Sequence, residues 1–405
     1  MKYPYLLAAL WLLAVAPAVA QTALTFAPRA TLPDGGRYGM AYCQDQTYLY
    51  MMGGGSPATA YTNDLYRYNP ATDSWGAGPL SSGQVWQHRL GTAAIIAPNT
   101  PNAVIYTLNG ATGTGPVLTV QPVRASDGVA TGTLPNPTPA STAGLAAWNG
   151  QLYAFGGQLA GGVYTNLLRS FNPATGAWTT LAPLPEAKTT YGAAVNGKVY
   201  AIGGFSGTAN SARVDAYDIA TDTWQARGVL PTTVSNQAVA VQGEWLWLVG
   251  DFTAQNYLAA YNTRTGQLRT FTSNLPPRRN AGAAVFNNFL YVWGGNTAAS
   301  NASTLADMWR VDVSTVLATA GAAATAPVLR AHPNPCAAGR ATLALPDGAR
   351  TLEVFDALGR RVLAAAPAPG TATWPLDLSG QPAGLYLARV RTAKGGAATC
   401  RVVCE

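Results

Sequence analysis

The feature of this sequence that most constrains its fold is an apolar segment ending in glycine that recurs six times. The copies are YLYMMGGG at 48–55, VIYTLNGA at 104–111, QLYAFGGQ at 151–158, KVYAIGGF at 198–205, WLWLVGDF at 245–252 and FLYVWGGN at 289–296. The last glycine of each aligned pair lies at 54, 110, 157, 204, 250 and 295, so the intervals are 56, 47, 47, 46 and 45 residues. A repeat of about 45–50 residues is typical of one four-stranded blade of a β-propeller.

A second pattern follows each apolar segment, and we letter the four strands expected in each unit a to d. DLYRYNPATDSW at 64–75 recurs as LLRSFNPATGAW at 167–178 and RVDAYDIATDTW at 213–224. Strand b is expected to end at the glycine doublet, because glycine tolerates a turn among crowded side chains. The tryptophan of strand d is expected to fill the space between neighbouring sheets. These structural positions are Gly53, Gly54, Gly156, Gly157, Gly203, Gly204, Gly294, Gly295, Trp75, Trp178 and Trp224.

The sixth unit is incomplete, because no strand d follows DMWRVD at 307–312. An isolated segment at the N-terminus, LTFAPRATLPD at 24–34, reads like the missing strand with its proline-rich exit. We therefore expect residues 24–34 to supply the outer strand of the last unit. This arrangement would close a ring and hide two sheet edges.

These motifs resemble kelch repeats over roughly residues 22–316. The glycine doublet, the spaced aromatic residue and the tryptophan carry the resemblance, which is specific in the first, third and fourth units; the second unit lacks both the doublet and the tryptophan. The resemblance implies an all-β fold, with a six-bladed kelch β-propeller over residues 22–313.

Both termini carry the marks of an exported protein. Lys2, the apolar stretch from Leu6 to Ala16 and the Ala18–Ala20 segment of small residues predict a signal peptide over 1–20. Residues 314–327 form a small-residue linker, and six strand-like stretches between 341 and 403 predict a small β-sandwich. We expect no membrane span after the signal peptide is removed.

The segment 328–405 resembles the type A C-terminal sorting domain of the bacterial type IX secretion system. The resemblance implies an Ig-like β-sandwich, the type IX machinery as a partner, and a secreted or outer-membrane-associated location in a Gram-negative bacterium. The Cys400–Glu405 end departs from the family, in which a basic final strand is usual. The markers are Pro333, Asn334, Pro335, Gly359, Arg360, Gly384 and Tyr386.

Cysteine and histidine are too few and too scattered to predict a metal site or a cofactor. The four cysteines, at 43, 336, 400 and 404, form no CxxC or CxxH cluster. Cys400 and Cys404 are about 13 Å apart on one strand, which is beyond the roughly 7 Å reach of a disulfide, so Cys336 is open to pairing with either. The two histidines cannot supply the ligands of a copper oxidase of the galactose oxidase type.

The distribution of charge and the number of carboxylates argue against two further classes of function. Outside Lys2 and the tail, residues 3–325 hold 15 basic and 13 acidic side chains, with no dense basic run, which disfavours nucleic-acid binding. Only four glutamates occur, so a paired-carboxylate glycosidase site is hard to assemble. Asp64, Asp215 and Asp307 recur at similar repeat positions, which indicates a structural role in the b–c connections.

The remaining candidate site is the mouth of the central channel, where the d–a loops of a propeller converge. Four of these loops carry a cation, which suggests an anionic peptide or acidic glycan as ligand. The competing interpretation is that these cations solvate the rim and pair with aspartates. The candidate residues are Arg37, Tyr38, Trp86, His88, Arg89, Lys188, Tyr191, Asn236, Arg278 and Arg279.

The sequence thus predicts an exported kelch-propeller binding module for a protein or glycan ligand. The alternative is a sugar-active kelch enzyme such as a sialic-acid mutarotase, since some six-bladed kelch propellers have that activity.

Overall fold

The computed structural model describes residues 22–76, 80, 89–317, 329–346, 348–392 and 397–405. The predicted signal peptide 1–20 lies outside these ranges, as do Trp86 and His88. The chain divides into two compact units, Met1–Leu317 and Ala318–Glu405, and the division falls inside the predicted linker 314–327. Among the described residues, no helix is both long and apolar enough to cross a membrane.

The described part of the first unit is built from short strands with two 3₁₀ turns, Ala160–Gly162 and Asn301–Ser303. In chain order the strands are β1 (Thr22–Leu24), β2 (Ala27–Arg29), β3 (Ala41–Gln44), β4 (Leu49–Met52), β5 (Leu65–Asn69), β6 (Ser74–Trp75), β7 (Arg89–Ile96), β8 (Val104–Thr112), β9 (Gly115–Pro116), β10 (Thr119–Arg124), β11 (Leu134–Pro135), β12 (Gly144–Trp148), β13 (Gln151–Phe155), β14 (Leu168–Asn172), β15 (Ala177–Leu181), β16 (Thr189–Val195), β17 (Lys198–Phe205), β18 (Arg213–Asp218), β19 (Thr223–Val229), β20 (Ala238–Gln242), β21 (Trp245–Val249), β22 (Leu258–Asn262), β23 (Leu268–Ser273), β24 (Gly282–Phe286), β25 (Phe289–Trp293) and β26 (Met308–Asp312).

These strands form successive sheets in which the strands of one repeat pair antiparallel, and the N-terminal strands β1 and β2 add to the last two sheets. The orders are β3-β4-β5-β6, β7-β8-β10-β11 with β9 beside β8, β12-β13-β14-β15, β16-β17-β18-β19, β20-β21-β22-β23-β1 and β24-β25-β26-β2. The second strand of each sheet is the most apolar; β21, for example, is buried along its whole length. The fourth strand is more exposed, as in β19. The repeat seen in the sequence is therefore one four-stranded sheet.

The N-terminal segment contributes to two sheets rather than one. Ala27–Arg29 pairs antiparallel with Met308–Arg310 of β26, as the outer strand of the sixth sheet. Thr22–Leu24 instead runs parallel to Phe271–Ser273 of β23, as a fifth strand of the fifth sheet. The expected single strand over 24–34 is thus two short strands. Leu24 and Phe26 are buried in the cluster between the fifth and sixth sheets, which fixes the crossing.

Buried hydrophobic clusters join each sheet to the next around a ring. The first sheet packs on the second, for example, through a cluster that contains Met52 and Ile105. Equivalent clusters join the second to the third, the third to the fourth, the fourth to the fifth and the fifth to the sixth sheet. The sixth sheet packs back on the first, where Trp293 and Met51 share a cluster.

The glycine doublets lie where the backbones of neighbouring sheets approach each other. Gly203 has a φ of 59°, and a Cβ added there would lie 2.3 Å from the Val234 carbonyl oxygen of the next sheet. The Gly204 amide donates a hydrogen bond of 2.7 Å to that oxygen. Gly294 and Gly295 have the same relationship to the Arg37 carbonyl, which connects the last sheet to the first. Close approach and positive φ together require glycine here.

The repeated tryptophans link each outer strand to the preceding sheet. Each is half-buried, and its indole nitrogen donates to a backbone carbonyl there: Trp75 to Ala30 at 3.2 Å, Trp178 to Pro135 at 2.9 Å and Trp224 to Ala182 at 2.8 Å. Each ring also packs against the aromatic side chain opposite it on strand c of its own sheet. The tryptophan therefore supplies both apolar contact and a hydrogen bond.

The second unit, in its described residues, has two sheets that share one hydrophobic cluster. Its strands are β27 (Arg330–His332), β28 (Arg340–Ala344), β29 (Ala349–Phe355), β30 (Arg361–Ala365), β31 (Thr373–Asp377), β32 (Gly384–Thr392) and β33 (Ala397–Cys404), with a 3₁₀ turn at Ala337–Gly339. The sheet orders are β27-β28-β31 and β30-β29-β32-β33. The cluster includes Leu343 from the first sheet and Leu352 and Val390 from the second.

Candidate functional site

The first strands of the six sheets surround a cavity of about 350 Å³. Half of its lining residues are alanine or glycine, as in the Gly192–Ala194 segment of β16. Small side chains on strand a leave this space open, whereas the apolar side chains of strand b fill the contacts between sheets. The cavity is therefore a product of the repeat and not of one loop.

One end of this cavity, which we call the mouth, is fixed by a chain of backbone hydrogen bonds between successive d–a loops. Asn280 donates to the Asn236 carbonyl at 3.0 Å, Gly39 to Asn280 at 2.8 Å, Leu90 to Gly39 at 2.7 Å and Thr142 to Leu90 at 3.1 Å. All five residues have φ between 53° and 58°. Equivalent loop positions thus converge at the mouth, as the repeat predicts.

Three of the cations predicted at the mouth are instead buried inside the loops. The side chains of Arg37, Lys188 and Arg278 are 0% exposed. Arg278 donates to both oxygens of Asp307 at 3.1 and 3.0 Å, and to the Gly294 carbonyl at 3.0 Å. Burial lowers the pKa of Arg278, although the hydrogen bonds and charge of Asp307 raise it.

Arg37 repeats this arrangement in the first sheet. It donates to the Gly53 carbonyl at 2.7 Å, pairs with Asp34, and lies 3.9 Å from Asp64. Burial lowers the pKa of Arg37, while the charge of Asp64 raises it. Asp64 and Asp307 therefore do have a structural role, as the anionic partners of these buried guanidiniums.

Lys188 is the corresponding cation of the fourth sheet. Its ammonium lies 3.2 Å from Glu186, 3.8 Å from Asp215 and 3.3 Å from the Ser211 hydroxyl. A buried charge is tolerated only when it is paired and hydrogen-bonded. For Arg37, Lys188 and Arg278 the prediction of a free cationic ring is therefore wrong, because nearby carboxylates already neutralise them. The alternative, a sialic-acid mutarotase, was also argued from a cationic mouth, and these three side chains are not free to contribute to it.

Two predicted arginines are not paired in this way. Arg89 lies over the rings of Tyr38 and Tyr61, at 5.6 and 5.2 Å, and donates to the Tyr38 hydroxyl at 2.7 Å. Arg279 is also largely buried, at 7% exposure, and lies 4.0 Å from the centre of the Phe252 ring. Among the described residues, neither guanidinium has a carboxylate within 4 Å. Both are therefore held by aromatic faces, and we call these two groups the arginine–aromatic stacks.

The other predicted mouth residues that the structure describes have different surroundings. Asn236 donates to the Asn280 side chain at 2.7 Å, and Asn280 in turn donates to Asn296 at 3.0 Å. Tyr191 lines the cavity, where burial raises its pKa. Tyr38 is buried and donates to Asn301 at 2.8 Å.

Sequence reasoning missed several residues of this region. Tyr42 reaches from the first sheet to the fifth, where its hydroxyl accepts a 2.9 Å hydrogen bond from the Val239 amide, and burial raises its pKa to about 12. Phe252 and Tyr61 form the aromatic half of the stacks. A signal for Tyr42 exists, since AYCQ at 41–44 interrupts the small-residue pattern of the other first strands. No sequence pattern indicated that Phe252 and Tyr61 would pack against the mouth arginines.

The predicted markers of the tail have structural contacts within the second unit. Asn334 donates to the Arg401 carbonyl and accepts from the Val403 amide, both at 2.8 Å. Arg360 pairs with Asp356 at 2.7 Å in a turn where Gly359 has a φ of 78°. Gly384 opens β32, and Tyr386 donates to the Pro382 carbonyl at 2.6 Å. Pro333 and Pro335 follow cis peptide bonds.

No group of three or more His, Cys, Asp or Glu side chains suited to a metal ion occurs within the described ranges.

The fold and the mouth define an all-β protein of repeated four-stranded sheets around a central cavity. The family model described as Kelch motif matches residues 36–76, 139–185 and 192–226, which correspond to the first, third and fourth sheets. Together with the sheet arrangement, these matches support a kelch-repeat protein with a β-propeller fold.

Curated relatives agree with this assignment. The Kelch-like protein terF of Aspergillus terreus is 30% identical over 173 residues, which are 38% of this chain and 35% of that protein. Kelch-like protein 35 of Mus musculus is 23% identical over 216 residues, 53% of this chain and 34% of that protein. The Spermatocyte protein spe-26 of Caenorhabditis elegans is 28% identical over 160 residues, 37% of this chain and 28% of that protein. The chain spans about a third of the length of these relatives.

Proposed function

We propose that this protein is an exported six-bladed kelch propeller that binds another protein at the mouth end of its ring. Kelch repeats suggest a protein-interaction module. The pair of arginine–aromatic stacks is the observation that supports binding at the mouth end. Arginine and aromatic side chains are the residues most enriched at protein interfaces and at their energetic centres.

The b–c loops supply the rest of the proposed surface. They lie beside the d–a loops at the mouth, as the bridges Tyr38–Gly55 and Arg279–Asn296 indicate. Three of the large exposed apolar side chains belong to these loops: Leu118, Val163 and Phe252 are 68%, 57% and 49% exposed. Exposed apolar and aromatic groups around guanidiniums favour a peptide-like surface over a glycan, and an acidic segment would best complement Arg89 and Arg279.

Binding can be tested with an array of acidic peptides and glycans probed with the full chain and with the R89A/R279A double variant. We expect the double variant to lose at least about tenfold in affinity for an acidic peptide, and to lose part of the salt dependence. The matched control is R124A, because Arg124 is exposed and pairs with Asp127 beyond strand c, away from the b–c loops. Equal binding by the double variant and by R124A would contradict the proposal, and recognition of glycans alone would replace the protein ligand with a sugar.

The tail is proposed as the sorting domain that delivers the propeller through the type IX machinery to the cell surface or medium. Its resemblance to that domain supports the proposal, and so does an exposed apolar patch. Leu385 and Leu387 on β32 are 46% and 42% exposed, and Val403, opposite Leu385 on β33, is 38% exposed. An apolar patch of this kind is suited to docking on another protein.

Export can be tested in a Gram-negative host that has this secretion system. Deletion of residues 328–405 should leave a folded propeller in the periplasm, detected by its resistance to protease added outside the cells. The L385S/L387S variant should reduce surface delivery, whereas V229S, which alters a side chain of the propeller that is 77% exposed, should not. Unchanged delivery after the deletion would refute the sorting role.

A further inference from the structure

Two of the four cysteines meet at the end of the second unit. Cys336 precedes the Ala337–Gly339 turn, and Cys404 is the last residue of β33. Their backbones form a parallel bridge, with the Cys336 amide donating to the Val403 carbonyl at 2.7 Å and the Glu405 amide donating to the Cys336 carbonyl at 3.2 Å. Their sulfur atoms lie 2.6 Å apart, and both side chains are buried.

This separation is shorter than a contact between two unbonded sulfur atoms and approaches the length of an S–S bond, about 2.05 Å. Neighbouring strands are about 4.8 Å apart, which lies inside the Cα range of disulfides, about 4.4–6.8 Å. We propose that Cys336 and Cys404 form a disulfide in the folded protein.

The position of Cys400 decides between the two pairings that the sequence leaves open. Cys400 lies on the same strand as Cys404, four residues earlier, and faces Ala388 of β32 across the ladder. The backbone bridge of Cys336 is to Cys404, which lies about 13 Å along the strand from Cys400, and burial raises the pKa of the Cys400 thiol. We therefore expect Cys400 to stay reduced, and also Cys43, which lies on β3 where burial raises the pKa of its thiol.

Asn334 holds the two cysteines in register before any bond forms. Its side chain makes two hydrogen bonds to the backbone of β33, at Arg401 and Val403, on the approach to Cys404. The bond would tie the segment that follows β27, in the three-stranded sheet, to β33, an edge strand of the four-stranded sheet. A covalent link there prevents the last strand from separating from the domain.

The oxidation balances with a low-molecular-weight disulfide as oxidant. The two thiols lose two protons and two electrons to form one S–S bond, and the S–S bond of the oxidant is reduced to two thiols. The reactive species is the thiolate. Because burial raises the pKa of Cys404 to about 12 in the folded domain, the exchange should begin before the domain has closed.

The test is to unfold and reduce the full chain, refold it with oxidised glutathione, and then block free thiols under denaturing conditions before peptide mapping. We expect one cross-linked peptide pair containing Cys336 and Cys404, with Cys43 and Cys400 blocked. A map in which both Cys336 and Cys404 are blocked, or in which Cys336 is linked to Cys400, would overturn the proposal.

A second measurement does not depend on the map. Adding a reductant should lower the melting temperature of the second unit by at least about 5 °C in the wild type and in the matched control C400S. In the C336S/C404S double variant, the reductant should cause no shift. The same shift in that variant, or none in the wild type, would count against the bond.

Discussion

Arg278 and Asp307 form a two-point ion pair inside the sixth sheet, with N–O distances of 3.1 and 3.0 Å. The guanidinium is fully buried and the carboxylate is 31% exposed. The pair connects the loop before strand a to the start of strand c, and Arg278 also donates to the Gly294 carbonyl at the end of strand b. One buried cation thus joins three parts of one repeat.

This arrangement predicts the effect of removing the anion. D307N should lower the free energy of unfolding by about 3 kcal/mol, because a buried guanidinium would lose its compensating charge. The measurement is chemical denaturation of the full chain. The control is D127N, which alters an exposed pair with Arg124 and should leave the unfolding midpoint nearly unchanged. Equal effects of the two substitutions on the free energy of unfolding would show that the buried Arg278–Asp307 pair stabilises the fold no more than an exposed pair does.

The glycine doublets predict a contrast between two alanine substitutions in the fourth sheet. Gly203 and Gly197 have φ of 59° and 74°, but only at Gly203 would a Cβ meet another backbone, 2.3 Å from Val234. G197A should cost about 1 kcal/mol, from backbone strain alone. G203A should cost about 3 kcal/mol, since the clash adds to the strain. Similar unfolding midpoints for the two variants would contradict the role of close approach.

We expect the contact that Asp222 makes between the third and fourth sheets to depend on pH. The Ala182 amide and the Tyr217 hydroxyl, in that order, hold the pKa of Asp222 below its usual value. Because the pKa of Asp222 is lower in the folded state than in the unfolded state, its ionised form stabilises the protein above about pH 4. This stabilisation is lost as the pH falls through the lowered pKa. The melting temperature of D222N should therefore be below that of the wild type at pH 7, and the gap should narrow at pH 3. A constant gap across this range would exclude the ionised contact.

Closure of the ring by the N-terminus predicts a graded loss of stability. Removal of residues 22–25 deletes only β1 and exposes the edge of β23 in the fifth sheet. Removal of 22–34 also exposes β26 and takes away Phe26 and Leu32, so it should destabilise the first unit by several kcal/mol more. Thermal melting of the two truncations measures the difference. If the longer truncation melts at the wild-type temperature, the N-terminal strands do not close the ring.

Local sequence patterns were sufficient to predict the repeated elements. The doublet at Gly203 and Gly204 and the position of Trp224 are set by short-range geometry, because φ, strand period and turn type depend on neighbouring residues. The same holds in the tail, where the Asp356–Arg360 turn separates two strands as the sequence suggests. The N-terminal segment shows the limit, because its division between two sheets depends on partners about 250–290 residues away along the chain.

The state of each cation was decided only by the tertiary structure. By sequence, Arg278 and Arg279 are adjacent basic residues in one loop, and both were expected at the mouth. In the fold, Arg278 turns inward to Asp307, 29 residues away, whereas Arg279 lies on Phe252, 27 residues away. The free energy of a charge depends on its solvation and on the charges around it, and both are set by which sheets come together. The sequence by itself determined where the cations recur, and the packing of the sheets determined which of them are neutralised by a carboxylate and which lie on an aromatic ring.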